Sequence, residues 1–259
     1  MSEFVQRDGR VLRIAVATAE RNASLHPQGV ADGTEALRNL GSEVGAVLLV
    51  GDGPAFCTGG DVASFGAAAA DGGSPEAFIR SVADGFHAFL LALVEAPVPV
   101  VAAVHGAAAG AGMSIVCASD LAVLGQSALL KPGYPSLGFT PDGGMSWTLP
   151  RLVGTGRARA ILLQDRLIDA PTALAWGIAS DVVPDEEVRA TAEKIAARLA
   201  RGATTALGGV KRLLAAGEHR GLAAHLEDEA ATIARSSAGP EGREGVAAFN
   251  ERRKPVFHG

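Results

Sequence analysis

Two glycine-rich stretches of the sequence could supply backbone hydrogen-bond donors to a substrate. Gly59 and Gly60 follow an apolar run, and Gly110 and Gly112 precede a run that we predict to be a buried helix. Glycine lets the backbone approach a ligand closely, and N–H groups at a helix N-terminus favour developing negative charge. Two donor sites in one chain suggest an oxyanion hole, in which two amides bind one oxygen atom. Either stretch alone could equally be an ordinary tight turn.

Neither stretch matches the glycine pattern of a nucleotide-binding loop. No Gly-Lys-Ser or Gly-Lys-Thr follows Gly60, which excludes a phosphate-binding P-loop. After Gly110 and Gly112, Ile115 occupies the position of the third glycine of a dinucleotide fingerprint, and Asp120 comes too early to bind a ribose. The sequence therefore gives no reason to expect a nucleotide cofactor.

Three side chains elsewhere are candidates for acid–base chemistry. Asp142 could be a catalytic carboxylate, although it lies between Pro and Gly in a sequence typical of turns. His87 could be a base or simply a packed or solvent-facing residue of a helix. Tyr134, the single tyrosine, could line a pocket or donate to a substrate oxygen. We expect no metal site, because ligand spacing is absent around the other candidate histidines, namely His26, His219, His225 and His258.

The composition favours a folded, soluble protein over several other classes. Of the 259 residues, 48% are apolar and 20% are charged, which excludes intrinsic disorder. The net charge of −5, without a clustered Lys/Arg face, argues against a nucleic-acid partner. Cys57 and Cys117 are too few for a disulfide scaffold and indicate a reducing compartment. Because residues 1–10 lack the apolar stretch of a secretory signal, we expect a cytoplasmic protein.

Alternating strands and helices would position these candidate residues. We predict strands at 11–18, 46–50, 100–104 and 121–124, and helices at 33–40, 75–95 and 145–153. Ser74 and Pro75 form a strong helix-start signal. The apolar stretch 98–118 could suggest a membrane span, but its glycine-rich centre favours a buried strand, loop and helix, so no membrane partner is expected. Beyond Pro184 we predict helices only, at 185–201, 204–215, 221–235 and 240–250.

Several longer motifs extend over essentially the whole chain. They are Phe56-Cys-Thr-Gly-Gly-Asp61, Pro99-Val-Val-Ala-Ala-Val-His-Gly106 with Ala109-Gly-Ala-Gly112, Pro141-Asp-Gly-Gly144, Leu149-Pro-Arg-Leu-Val-Gly154, Ala173-Leu-Ala-Trp-Gly177 and Phe249-Asn-Glu-Arg-Arg-Lys-Pro255. Each is weak alone, but together they resemble the enoyl-CoA hydratase/isomerase (crotonase) superfamily.

The resemblance implies an α/β fold, a crotonase-like spiral of ββα units with a C-terminal helical trimerisation region. Residues 1–195 would form the spiral core with an acyl-CoA site, and residues 196–259 the helical region. The protein would be a homo-trimer or hexamer that acts on acyl-CoA thioesters. Coenzyme A would be part of the substrate, so no separate cofactor is expected.

The resemblance also implies roles for particular residues. The backbone N–H groups of Gly60 and Ala111 would form the oxyanion hole. The positions that would contact the substrate or its coenzyme A are Arg21, Ala23, Thr58, Gly60, Asp61, Val62, Ala111, Gly138, Phe249 and Lys254, the last two either within one subunit or across a subunit boundary. One departure is early in the chain, where the family often has Asn-Ala-Leu-Asn and this sequence has Asn22-Ala-Ser-Leu-His-Pro27.

The acid–base positions distinguish the reactions of the family. Ser114 and Tyr134 occupy the positions of the two glutamates that hydratases of the family use. Neither side chain offers a carboxylate, which argues against ordinary hydration. Asp142 matches the catalytic aspartate of isomerase-like members and of 4-chlorobenzoyl-CoA dehalogenase, and His87 matches the histidine base of that dehalogenase.

Three functions therefore remain open. The first is an enoyl-CoA double-bond isomerase with Asp142 as acid and base. The second is a hydratase-type lyase, or a hydrolase or dehalogenase that uses Asp142 and His87. The third is an acyl-CoA-binding protein that has lost the chemistry.

Overall fold

In the computed structural model, which describes residues 2–64, 74–217 and 220–258, the strands form two sheets. The large sheet contains, in spatial order, β1 (Val5–Asp8), β2 (Val11–Thr18), β3 (Ala46–Asp52), β4 (Val100–Val104), β6 (Leu121–Gly125) and β9 (Asp181–Val183). Strands β1 and β2 are antiparallel, and the other neighbours are parallel. The small sheet contains β5 (Ala107–Ala109), β7 (Leu129–Lys131) and β8 (Ile168–Asp169).

Helices cover both faces of the large sheet and form the C-terminal part of the chain. They are α1 (Pro27–Arg38), α2 (Pro75–Glu95), α3 (Ala111–Ala118), α4 (Met145–Val153), α5 (Thr155–Leu163), α6 (Ala170–Ala175), α7 (Val188–Ala200), α8 (Thr204–Gly217), α9 (Leu222–Ala238) and α10 (Pro240–Asn250). The mixed α/β architecture expected from the sequence is confirmed.

Several elements have the bounds that the sequence predicts. Strands β2 and β4 and helices α2 and α4 begin and end at the predicted residues. Helix α2 starts as its sequence signal indicates, because Ser74 Oγ accepts a hydrogen bond from the Ala77 amide and Pro75 is the first helical residue. The apolar stretch 98–118 is a buried strand, a short strand and a buried helix, namely β4, β5 and α3.

The prediction for the first helix was wrong at its start. Helix α1 begins at Pro27 rather than at residue 33, and the Nδ1 atom of His26 accepts a hydrogen bond from the Gly29 amide. Gly29 and Gly33 weaken the helical signal in the sequence, but both allow close packing. A Cβ atom on Gly29 would lie 2.7 Å from the carbonyl oxygen of Ala15, and one on Gly33 would lie 2.8 Å from the ring of Phe89.

Two further sequence predictions need correction. The stretch 106–112, predicted as a loop, contains strand β5, because residues 107–109 pair with β7. The helix predicted at 185–201 begins with a 3₁₀ turn at Asp185–Glu187, and the α-helix starts at Val188. The other C-terminal helices lie within three residues of their predicted bounds.

Apolar packing on both faces holds the large sheet in place. On one face, Leu48 of β3 and Val101 of β4 pack on a stripe of small residues of α7, namely Ala192, Ala196 and Ala200. On the other face, α1, α2 and α3 bury their apolar sides. Among the described residues, α2 is the one helix that is long and apolar enough, by length and composition, to cross a membrane. Its Phe86, Phe89 and Leu93 side chains are buried in this core.

Candidate active site

The two glycine-rich stretches are joined by backbone hydrogen bonds. The chain after β3 runs parallel to β5, and the Cys57 amide donates to the Ala107 carbonyl at 3.2 Å. The Ala109 amide donates back to the Cys57 carbonyl at 2.9 Å. The sequence predicts each stretch separately, whereas this long-range pairing places them side by side.

Glycine is required where the two stretches meet. Gly59 has φ +101° and Gly110 has φ +52°, and residues with a side chain rarely adopt such values. A Cβ atom on Gly112 would overlap the carbonyl oxygen of Cys57. These three glycines therefore allow the start of α3 to lie against the chain that follows β3.

Gly60 and Ala111 lie at a common cavity. Both residues line a cavity of about 470 Å³. Ala111 is the first residue of α3, where an N–H group has no partner within the helix. Within the described parts of the chain, neither amide donates to a backbone carbonyl. Both residues of the expected oxyanion hole thus lie at one cavity, with amides that have no backbone acceptor among the described residues.

The remaining lining of the cavity is largely apolar. Side chains from α2 and from the segment after β7 form much of its wall, together with Leu25 and Val62. These wall residues are Ile79, Val82, Ala83, Phe86, Leu137 and Phe139. Such a wall suits an aliphatic or aromatic group rather than a charged one.

Asp142 is held at the cavity by two hydroxyl-bearing residues. The Tyr134 hydroxyl donates a hydrogen bond of 2.6 Å to Oδ1 of Asp142. Ser114 Oγ lies 3.3 Å from the Tyr134 oxygen and donates to the Asp142 carbonyl at 3.3 Å. Burial, followed by the charge of Asp142, raises the pKa of the Tyr134 phenol, which therefore stays protonated as a donor. The positions that carry glutamates in hydratases thus hold a hydroxyl network around one aspartate.

His87 contacts the residue after Asp142 rather than the cavity. Its Nε2 atom accepts a hydrogen bond of 3.1 Å from the Gly143 amide. An amide N–H can only donate, so Nε2 carries its lone pair toward Gly143 and the neutral ring carries its proton on Nδ1. His87 does not line the cavity that Asp142 lines.

The positions expected to contact coenzyme A fall into two groups. Thr58, Val62 and Gly138 line the cavity. Near it, Arg21 forms an ion pair of 2.9 Å with Asp61.

Ala23, Phe249 and Lys254 do not line the cavity. The Ala23 side chain is fully buried, and its carbonyl accepts a hydrogen bond of 2.8 Å from the Thr58 amide. Ala23 therefore orders the backbone beside Thr58. Phe249, at the end of α10, is 83% exposed, and Lys254 is exposed on the segment that follows. Their contacts with coenzyme A stay a prediction.

Sequence reasoning missed the structural role of Ser114. It identified this residue as the replacement of a glutamate, but the side chain is fully buried and links α3 to the Asp142 backbone. A small polar residue one turn after Gly110 is the one local signal, because Ser114 Oγ also lies 3.3 Å from the Gly110 carbonyl oxygen, as serine in a helix often does. In the parts of the chain that the structure describes, which do not include His219, no three His, Cys, Asp or Glu side chains are grouped to hold a metal ion.

Comparison with known proteins identifies the family. Residues 6–259 match the model of the enoyl-CoA hydratase/isomerase family. The chain belongs to the enoyl-CoA hydratase/isomerase family. The resemblance predicted from the motifs is therefore confirmed over almost the full chain, and acyl-CoA substrates are consistent with this membership.

Members of the enoyl-CoA hydratase/isomerase family that resemble the chain carry different activities in their names. A protein of Rhodobacter capsulatus named probable enoyl-CoA hydratase is 36% identical over 95% of each chain. The 1,2-epoxyphenylacetyl-CoA isomerase of Escherichia coli K12 is 32% identical over 100% of each chain. The crystal structure of an enoyl-CoA hydratase from Polaromonas sp. JS666 superposes with a TM-score of 0.90, at 31% identity over 97% of each chain. This superposition confirms the crotonase fold expected from the sequence, whereas the different names of the relatives do not determine the reaction of this chain.

Proposed function

We propose that the protein is an enoyl-CoA isomerase that moves a double bond along the acyl chain of a CoA thioester. One observation carries this proposal. Among the described residues that line the cavity, Asp142 is the one carboxylate. Hydration of an enoyl-CoA relies on two carboxylates that hold and activate a water, whereas migration of a double bond needs one group that removes a proton and returns it.

The oxyanion hole would supply most of the stabilisation of the dienolate and of the transition state that leads to it. The amides of Gly60 and Ala111 donate to the thioester carbonyl oxygen of a 3-enoyl-CoA. Asp142 removes a proton from the α carbon, and the electron pair moves onto that oxygen as a dienolate forms. The carboxylic acid then returns the proton to the γ carbon, which gives the 2-enoyl-CoA. Each donor of such a hole typically contributes about 2.7–4 kcal/mol to the barrier reduction.

The contact of His87 favours isomerisation over hydrolysis or dehalogenation. A hydrolytic reaction with Asp142 as the nucleophile needs a base that activates water. The Nε2 lone pair of His87 is occupied by the Gly143 amide, and Nδ1 carries the proton of the neutral ring. Neither nitrogen offers a free lone pair to a water in the cavity.

Product analysis with the wild-type protein tests this function. The protein is incubated separately with a 3-enoyl-CoA, a 2-enoyl-CoA and a saturated acyl-CoA, and the products are separated by chromatography and weighed by mass spectrometry. We expect the 3-enoyl-CoA to become the 2-enoyl-CoA. Rapid addition of water to the 2-enoyl-CoA, or release of free coenzyme A, would overturn the proposal. Binding without any turnover would indicate a silent acyl-CoA-binding protein instead.

We also propose that the protein is a homo-trimer or hexamer in the cytoplasm, with coenzyme A entering only as part of the substrate. Large apolar side chains of the C-terminal helices are exposed in the single chain, namely Leu214, Leu222, Ile233, Val246 and Phe249. Exposed apolar patches of this kind favour association. Light scattering on the purified protein tests the number of subunits, and a monomer at micromolar concentration would contradict it.

A further inference from the structure

The peptide group between Asp142 and Gly143 is held at both of its polar atoms. Its N–H group donates to Nε2 of His87 at 3.1 Å. Its carbonyl oxygen accepts from Ser114 Oγ at 3.3 Å and from the Met145 amide at 3.3 Å. One peptide plane, directly attached to the Asp142 side chain, is thus tied to α2, α3 and α4.

Packing leaves this peptide plane little room to turn. Gly143 has φ +60°, and a Cβ atom there would overlap the Phe86 ring and lie 2.9 Å from Cβ of Ser114. Phe86 precedes His87 on α2, so the same turn of that helix supplies both the packing and the hydrogen-bond acceptor. A rotation of the plane would break the His87 contact and move the Asp142 carboxylate, because both are attached to it.

We propose that His87 is a positioning residue, whose neutral imidazole accepts the Gly143 amide and so fixes the direction of the Asp142 carboxylate. The expected effect on rate rests on the proposed isomerase function. The hydrogen bond between the Gly143 amide and His87 does not. His87 itself transfers no proton. A reactive group displaced by about 1 Å can lose a factor on the order of 100 in rate, so the loss of this acceptor should reduce kcat more than substrate binding.

Two substitutions separate a positioning residue from a base. In His87→Gln, the side-chain oxygen reaches the place of Nε2 and can accept the Gly143 amide, but an amide cannot act as a base. In His87→Met, a side chain of similar length offers no comparable acceptor. Leu91→Met, one turn further along α2 at an exposed position, is the matched control for methionine on this helix.

The kinetic test uses the conversion of a 3-enoyl-CoA by the full-length protein. We expect His87→Gln to keep kcat within about threefold of wild type, and His87→Met to lose about 10- to 100-fold in kcat with KM within about threefold. Leu91→Met should behave as wild type. Equal, large losses in both His87 variants would indicate a base, and unchanged kcat in both would indicate packing only; either result overturns the proposal.

A spectroscopic test does not depend on the reaction. In ¹⁵N-labelled wild-type protein, we expect the His87 ring to be neutral with unprotonated Nε2, and the Gly143 amide to exchange slowly with solvent. Slow exchange should persist in His87→Gln and be lost in His87→Met. If the wild type fails to isomerise but these signals are as expected, the proposed function is wrong and the positioning contact stands. A protonated Nε2 or a fast-exchanging Gly143 amide in the wild type overturns the contact itself.

Discussion

The Tyr134 hydroxyl donates a hydrogen bond of 2.6 Å to Oδ1 of Asp142. In the proposed isomerisation, Oδ2 is then the oxygen that exchanges a proton with the substrate. Tyr134 and Ser114, which the resemblance places at the positions of the two hydratase glutamates, contact Asp142 instead.

The state of the Tyr134 phenol can be read directly, since it is the single tyrosine of the chain. Its pKa in the folded protein is raised by burial and by the charge of Asp142, whereas an exposed phenol has a pKa of about 10. Absorbance of tyrosinate should therefore not appear at pH 10–11 in the folded protein, but should appear near pH 10 in urea. Tyr134→Phe, which has no tyrosine, is the control and should show no tyrosinate absorbance at any pH.

The raised pKa of the Tyr134 phenol also predicts that the folded protein loses stability at high pH. Because the folded-state pKa lies above the unfolded-state pKa, the stabilisation is complete below about pH 10. It is lost as the pH rises from there toward the folded-state pKa. The unfolding free energy of wild type should fall more steeply than that of Tyr134→Phe above pH 10, as measured by urea titration. Parallel curves would contradict the buried contact with Asp142.

The amide of Ala111 can be removed with little cost to its helix. Ala111 is the first residue of α3, a position at which proline is well tolerated. Ala111→Pro deletes the N–H group, so kcat for 3-enoyl-CoA isomerisation should fall by about 10²–10³. Ala111→Ser keeps the N–H group and should stay within a few-fold of wild type. Equal rates for the two variants would show that this amide does not bind the thioester oxygen.

Both cysteines should be chemically silent in the folded protein. Burial raises the pKa of the Cys57 and Cys117 thiols to about 12, so almost no thiolate is present at pH 8. We expect no reaction with a thiol-specific reagent in native buffer and two equivalents of reaction after unfolding in urea. A fast single equivalent in native buffer would mean that the Cys57 segment is not packed against β5.

The Glu241 side chain caps the first turn of α8. Glu241 accepts hydrogen bonds from the amides of Thr205 and Ala206 in the first turn of α8, at 3.0 Å for Thr205. A carboxylate at a helix N-terminus is favourable because of the free N–H groups and the helix dipole. Glu241→Gln should reduce the unfolding free energy by about 1 kcal/mol in urea titrations. Glu227→Gln, at an exposed position of α9, should change it by less than about 0.5 kcal/mol.

The parts of the fold that the sequence predicts well carry local signals. Helix α2 has Ser74 and Pro75 at its start, β4 is a continuous apolar run, and β2 is apolar except for Arg13 and Thr18. Helix α1 has a weaker signal: Pro27 is its first residue, but histidine is an uncommon cap, and Gly29 and Gly33 reduce helix propensity. Those glycines are explained by contacts with β2 and α2, which lie outside any local window of sequence.

The residues of the candidate site also differ in how far the sequence indicates them. The resemblance of the motifs points to Gly60, Ala111 and Asp142, and these three residues line one cavity. The contact between His87 and Gly143 joins residues that are 56 positions apart in the sequence. The pairing of Cys57 with Ala108 of β5 is similarly long-range in sequence. Such relationships depend on how helices and strands pack, so they follow from the folded chain and not from spacing.

The central claim is that the Asp142 carboxylate carries the proton between the α and γ carbons. The most direct measurement is the rate of 3-enoyl-CoA isomerisation by Asp142→Asn, with acyl-CoA binding determined by calorimetry on the same preparation. Asparagine keeps the size of the side chain and can still accept from Tyr134, but it cannot take up a proton. We predict a loss of about 10²–10⁴ in kcat with the dissociation constant within about threefold of wild type. A variant that binds the substrate and turns it over within tenfold of the wild-type rate would contradict the claim.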